Sequence, residues 1–361
     1  MKADSTKLAK KTALIAAAGT GGHIFPGLAI AEGLIKQGWN VVWIGTTTGM
    51  ENQIVPQKNI QFESIKFSGV RGKGLVSWLT MPFKLLVAIT DSCKIILKTK
   101  PDVVVGFGGY VSLPVGLAAK LLFKKLVIHE QNSVIGLSNK ILSLVTNKIF
   151  TAFPNVIKNA VVAGNPLRDE FVNVALPEAR FQNRSGPLRI LIIGGSLGAK
   201  FLNHTMPAAI KLIPEKDRPL ITHQSGMNQF DELNSIYSKL NVNADVVQFI
   251  DNTARAFADA DLIICRAGAS TVTEISAVGA SAIFVPLPSA VDDHQSKNAK
   301  YLVDKNAAWL QPQGEMTPEK ISNQILTMDR SKLLDVAIAS RKLSIPDTVE
   351  TLVNVCEELV L

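Results

Sequence analysis

Short apolar runs rich in Val and Ile alternate with longer stretches of helical period along this whole chain, and that alternation narrows the fold more than any other feature. The runs fall at residues 12–17, 40–44, 102–105, 126–128, 188–193, 244–249, 261–265 and 281–285. Strands apolar on both faces and separated by helices belong to parallel sheets covered on both sides. The pattern also repeats. LIAAAGTGGHIFPGLAIAEGL, from Leu14, reads as strand, glycine-rich turn and helix, and ILIIGGSLGAKFLNHTMPAAI, from Ile190, has the same form. PDVVVGFGGYVSLPVGLAA, from Pro101, is matched in the same way by ADLIICRAGASTVTEISAVGA, from Ala260. An α/β fold of two Rossmann-like, doubly wound parallel-sheet domains is therefore expected. The first is expected over 1–166 and the second over 167–345, with the last helix, about 346–361, crossing back to the first.

Composition sets the outer bounds. Of 361 residues, 47% are hydrophobic and 19% charged, enough to fill two cores and too few charges for a disordered chain. The three cysteines, Cys93, Cys265 and Cys356, have no metal-ligand spacing and read as free thiols in a reducing cytoplasm. A net charge of +8, from 38 Lys and Arg against 30 Asp and Glu, favours anionic partners. Nucleic acid is set aside, because aromatic residues do not interleave with the basic runs. The polar start argues against a signal peptide. The most apolar stretch, 113–128, is broken by Lys120, Lys124 and Lys125, so no membrane-spanning helix is expected.

A strand that ends in glycines and opens a helix offers backbone N–H groups and a positive helix end to an anion. In the first such loop, Gly19-Thr20-Gly21-Gly22-His23, Ile24 stands where a dinucleotide fingerprint needs its third glycine, and no acidic residue closes the next strand, VVWIG. A nicotinamide dehydrogenase fits poorly. The loop instead places His23 at a helix start, where an imidazole can serve as a general base. In the second half, Gly194-Gly195-Ser196 can hold a phosphate. The segment RAGASTVTE sets Glu274 one turn into a helix, where a carboxylate can accept two ribose hydroxyls. Gln295 and Asn298 offer amides suited to sugar hydroxyls.

Taken together, GTGGHIFPGLAIA, GFGGYVSLPVGLAA, HEQNSVIGLSNK, GNPLR, GGSLGAKFLN, FIDN and RAGASTVTEISAVGA resemble glycosyltransferase family 28, in order from about residue 12 to residue 300. The resemblance implies a GT-B fold with a nucleotide sugar bound in the interdomain cleft. It also implies inverting transfer of N-acetylglucosamine from UDP-N-acetylglucosamine to the 4-hydroxyl of muramic acid in lipid I, giving lipid II for peptidoglycan. Carried over by position, Thr20, Gly21, Gly22, Asn132 and Arg168 face the donor, as do Ser196, Ile250, Ala269, Ser270, Thr271, Val272, Thr273, Glu274 and Gln295. His23 matches the proposed base, Glu130 is a second catalytic candidate, and Tyr110, Glu130 and Asn139 fall in motifs lining the acceptor side. Leu197 and His294 stand where the family carries glutamines, which bears on donor contacts.

A lipid-linked acceptor requires a protein that approaches a bilayer without crossing it. Leu75, Trp78, Leu79 and Phe83 recur near helical spacing with Arg71, Lys73 and Lys84 alongside, as a membrane-facing patch would. The expected setting is peripheral, on the cytoplasmic face of an anionic inner membrane leaflet, and association with other cell-wall synthesis proteins accompanies the resemblance. No cofactor and no obligatory metal are expected, since Asp292-Asp293 lacks a partner cluster. The rivals are a related GT-B enzyme that glycosylates another lipid, such as diacylglycerol, and a non-catalytic nucleotide-binding module.

Overall fold

Both faces of the first strand, β1 (Thr12–Ala16), are apolar, and both are covered. Ala13 and Ile15 join Ile24, Leu28 and Trp43 in one core cluster, whereas Leu14 and Ala16 join Ala88, Ile96, Val111 and Val115 in another. This is the two-sided burial of a parallel sheet with helices on each face. The computed structural model describes residues 10–69, 79–195 and 198–361. The chain divides into two units, Met1–Leu167 with Asp347–Leu361, and Arg168–Pro346.

In the first unit, β1 continues to β2 (Asn40–Thr46), β3 (Gln61–Ile65), β4 (Val103–Gly106), β5 (Lys125–Glu130), β6 (Lys148–Thr151) and β7 (Val161–Val162). The sheet runs β3-β2-β1-β4-β5-β6-β7, and every pair is parallel. The second unit holds β8 (Arg189–Ile193), β9 (Leu220–Gln224), β10 (Asp245–Val247), β11 (Leu262–Cys265), β12 (Ala282–Phe284) and β13 (Trp309–Leu310). Its order, β10-β9-β8-β11-β12-β13, is likewise all parallel. Each sheet grows outward in one direction from its first strand and then reverses, at β1/β4 and at β8/β11. In doubly wound sheets ligands bind beyond the carboxyl ends of the strands at that reversal.

The final helix, Thr348–Leu359, completes the first unit. Leu352, Val353 and Cys356 are buried with Ile24, Leu34 and Trp39, and the Thr348 hydroxyl donates to the Ala163 carbonyl. Gly33 has to be glycine here, because a Cβ would lie 2.7 Å from the Val349 Cγ1. At its far end Glu357 pairs with Lys11 and accepts from the Trp39 indole. Removing the Leu352 side chain leaves a cavity that its buried neighbours close only in part. Leu352→Ala is expected to destabilise the first unit by about 2–5 kcal/mol, read as a lower denaturant midpoint for that unit's transition; an unchanged midpoint would show the helix to be dispensable.

Candidate active site

In the first unit the loop after β1 turns at Gly19, whose φ of +102° suits glycine. Thr20 then precedes the helix Gly21–Lys36. The helical ladder begins with the N–H groups of His23 and Ile24 bonded to the Thr20 carbonyl at 3.0 and 3.3 Å, leaving the amides of Gly21 and Gly22 ahead of it. Glu51, fully buried, holds this loop from beneath. It accepts from the Gly19 N–H at 3.3 Å, the Thr46 N–H at 2.9 Å and the Thr46 hydroxyl at 2.7 Å. Sequence reasoning found no acid closing β2; the structure brings one in from a short helix five residues further on, where no local pattern announces it.

The loop after β4 meets the first one. Gly108 and Gly109 have φ of +80° and +69°, and a Cβ on either would come within 3.4 Å of the His23 ring. His23, half-buried, lies against these two glycines, and its Nδ1 is 2.8 Å from the Gln131 Oε1. Tyr110 lies over Gly19 and beside Phe67. The loop after β5 is organised by Glu130, which is 2% exposed. Its carboxylate accepts from the Asn132 N–H at 3.0 Å, the Gly136 N–H at 3.0 Å and the Asn139 Nδ2 at 2.9 Å. Glu130, expected as a second catalytic candidate, thus has both oxygens engaged by donors of its own loop and the neighbouring helix. Asn139 is buried with it, donating also to the His129 carbonyl.

In the second unit the loop after β8 is tight. A Cβ on Gly194 would fall 2.3 Å from the Ala199 nitrogen, and one on Gly198 only 2.1 Å from the Ser225 carbonyl. Ser196 and Leu197, like Leu75 and Trp78, lie outside the described residues. The loop after β11 is tied to its neighbours by side chains. Arg266 donates to the Val285 and Pro286 carbonyls and to the Gln313 Oε1 at 2.8 Å. The Gln295 Oε1 accepts from the N–H groups of Ala267 and Leu287, and Asn298 donates to the Ala267 carbonyl. Gln295 therefore spends its oxygen on the loops. Asn298 is fully buried and also serves the loop, so it is not positioned as a sugar contact.

Gly268 precedes the helix Ala269–Val278, whose first ladder bond joins the Val272 N–H to the Gly268 carbonyl. The amides of Ala269, Ser270 and Thr271 stand ahead of that bond, and the Ser270 hydroxyl is buried without a partner. The run 269–274 does not act as one surface. Val272 is fully buried, and the Thr273 hydroxyl bonds back to the Ala269 and Ser270 carbonyls, so neither side chain is available to a ligand. Glu274, one turn further, has its carboxyl pushed up to about 7, chiefly by desolvation; Arg168 opposes the rise and Glu170 adds to it. Arg168 pairs with Glu170 at 2.8 Å. Ile250 is half-buried beyond β10, its carbonyl accepting from Thr253, while Asn252 caps the next helix. Among the described residues no group of three or more His, Cys, Asp or Glu is arranged to hold a metal ion.

Two glycine loops converge at the strand reversal of each unit, one set carrying a histidine and the other a half-buried carboxyl. The glycosyltransferase family 28 N-terminal domain matches residues 13–151, and the family's C-terminal domain matches residues 189–352. The chain belongs to glycosyltransferase family 28.

Relatives in the family are alike over nearly their whole length. The UDP-N-acetylglucosamine--N-acetylmuramyl-(pentapeptide) pyrophosphoryl-undecaprenol N-acetylglucosamine transferase of Polaromonas sp. (strain JS666) is 51% identical, over 98% of this chain and 93% of its own. The protein of the same name from Paracidovorax citrulli is 51% identical over 97% of this chain and 98% of its own. The crystal structure of Acinetobacter baumannii MurG superposes with a TM-score of 0.85 at 41% identity, covering 96% of this chain and 99% of that one. The two parallel-sheet units are thus those of the family's GT-B fold.

The raised carboxyl of Glu274 has a consequence for stability. A folded-state value above the ordinary 4.5 means that stabilisation is fully present below pH 4.5 and is lost as pH rises through about 7. Glu274→Gln should therefore gain on the wild type between pH 4.5 and 8 while matching it at pH 4. Parallel denaturant midpoints across that range would show that Glu274 titrates normally.

Proposed function

We propose that this chain transfers N-acetylglucosamine from UDP-N-acetylglucosamine to the C4 hydroxyl of muramic acid in undecaprenyl-pyrophosphoryl-N-acetylmuramyl-pentapeptide, lipid I, giving lipid II for peptidoglycan. The observation that carries this reading is identity at half of all positions, over almost the entire chain, with transferases of that printed name. The local chemistry agrees with it. Amides ahead of the helix Ala269–Val278 and the glycine loop after β8 suit a diphosphate, and a carboxylate at Glu274 suits the ribose diol. The Gln295 Nε2 is the end of that side chain left to a sugar once its oxygen is committed. Thr20, Gly21, Gly22, Asn132 and Arg168 are the further donor contacts, with Ile250 meeting uracil through its backbone. Tyr110 and Asn139 belong to the acceptor side.

The reaction is a single displacement with inversion. The acceptor oxygen bonds to the anomeric carbon as the bond from that carbon to the β-phosphate oxygen breaks, and His23 takes the hydroxyl proton at Nε2. Charge arriving on UDP is met by backbone amides that are already oriented, so no protein nucleophile is required. No obligatory metal enters the proposal.

The acceptor's lipid sets a further requirement. Leu79 is 74% exposed, Phe83 73% and Leu86 60%, with Lys84 among them. Phe83 and Leu86 lie on the helix Met81–Thr99 and Leu79 just precedes it. Phe83 and Leu86, three residues apart, share one face of that helix, and no helix of the described residues is long and apolar enough to cross a membrane. This face seats the protein peripherally on the anionic cytoplasmic leaflet.

Transfer of labelled N-acetylglucosamine to a lipid I analogue tests the reading. Wild type should turn over, with and without EDTA. His23→Ala should lose about 10²–10⁴-fold in kcat with donor affinity kept, and Glu274→Ala should lose donor affinity instead. Tight UDP binding with no transfer to lipid I would move the acceptor to another lipid, and loss of turnover in EDTA with intact protein would overturn the metal-free mechanism. Leu79→Ser with Phe83→Ser should weaken sedimentation with anionic vesicles while sparing UDP affinity; undiminished sedimentation would mean that another surface meets the bilayer.

A further inference from the structure

We infer that a buried hydrogen-bond relay, running from the Gly164 carbonyl through His129 and Gln131, holds His23 in the one neutral tautomer that leaves Nε2 free. The inference deepens the reading of His23 as the base and rests on it for its role in the reaction.

The relay is directional because it begins at a group that can only accept. The His129 Nε2 lies 2.8 Å from the Gly164 carbonyl oxygen, so that nitrogen carries a proton. His129 is fully buried with its ring tilted against Phe107, and burial holds its imidazole down at about 4, so the ring is neutral and its Nδ1 is bare. Facing that Nδ1 at 3.0 Å is the Gln131 amide nitrogen, which also donates to the His129 carbonyl at 3.0 Å. With its nitrogen committed twice, Gln131 turns its oxygen to the His23 Nδ1 at 2.8 Å. An amide oxygen only accepts, so the His23 Nδ1 carries a proton, and in the neutral ring Nε2 keeps the lone pair.

Gln131 is 1% exposed, and its backbone carbonyl accepts from Asn165 at 3.2 Å; turning its side-chain amide over would set the oxygen against the bare His129 Nδ1 and the His129 carbonyl, so the orientation is fixed. A neutral imidazole released from such a partner divides between two tautomers, and only one presents a lone pair at Nε2. Gln131 is thus a positioning residue that acts through His23, and His129 orients Gln131. HEQN displays both residues in the sequence, but their pairing with a histidine more than a hundred positions earlier is a product of the fold.

The test uses the full-length protein labelled with ¹⁵N-histidine, with the His23 resonance assigned by its loss in His23→Ala. In wild type at neutral pH, His23 should show a protonated Nδ1 and a bare Nε2. Gln131→Met keeps the length and removes the acceptor; it should convert the signal to a tautomer mixture and lower kcat by about 10–100-fold with donor Kd near wild type, at a melting temperature lowered by the two His129 acceptors left unmet. Gln131→Glu keeps an oxygen facing the His23 Nδ1 but loses the donor to His129, so it should hold that Nδ1 protonated while melting lower than wild type, a separation of the two readouts that mere packing would not produce. An unchanged His23 tautomer in Gln131→Met overturns the relay. If His23→Ala turns over like wild type, the base reading fails, and the tautomer measurement still decides whether the relay exists.

Discussion

In each unit two neighbouring strands hand the chain away in opposite directions, and the candidate chemistry hangs on that divergence. β1 pairs with β4 up to Ala16 and Gly106, and β8 pairs with β11 up to Ile193 and Cys265. Beyond those last pairs the chain turns into the glycine loops, which in the first unit meet with the His23 ring set against Gly108 and Gly109. Main-chain pairing deep in the sheet thus decides which backbone amides end up side by side. The Ser112 hydroxyl reinforces the join in the first unit, donating to the carbonyls of Ala16 and Gly108.

Holding such loops open requires polar groups beneath them, and the structure supplies one for nearly every loop. Glu51 supports the turn after β1, and Glu130 the turn after β5. Gln295 and Arg266 brace the turns after β11 and β12. Each works by saturating backbone donors or acceptors, which cost about 1–3 kcal/mol apiece if left buried and unmet. A glycine-rich loop has little packing of its own, so its shape comes from these anchors.

The glycine loops were legible because each follows a Val- or Ile-rich run and precedes a helical period, a signature carried by adjacent residues. The central strands were legible for the same reason. β9 was not: its LITHQ ends in His223 and Gln224, both buried, with the histidine Nδ1 bonded to the Tyr237 hydroxyl from a helix rather than placed by any apolar pattern. β3, at the sheet edge, alternates only partly, and β13 is two residues long. His23 was legible from its place in a loop, but Glu51 and Gln131 were not, because their worth comes from partners remote in sequence. Within 269–274 the loop signature marked a whole segment, whereas helical geometry turns Val272 and Thr273 inward and leaves Glu274 partly open. The exposed stripe around Phe83 was legible as an amphipathic pattern; which of its faces meets solvent was not.

The first unit is discontinuous: its sheet is built from the early chain, and one wall of its core is supplied by Thr348–Leu359. Proteins emerge from the ribosome amino end first, and domains generally fold as units during synthesis. Here the second unit is fully translated before the residues that close the first one exist. Until then the surface that Leu352, Val353 and Cys356 will cover, around Ile24 and Leu34 on the helix carrying His23, is uncovered. A nascent chain of this kind presents its stickiest face for the whole time its second half is being made, which makes that interval the one in which chaperones have most to protect.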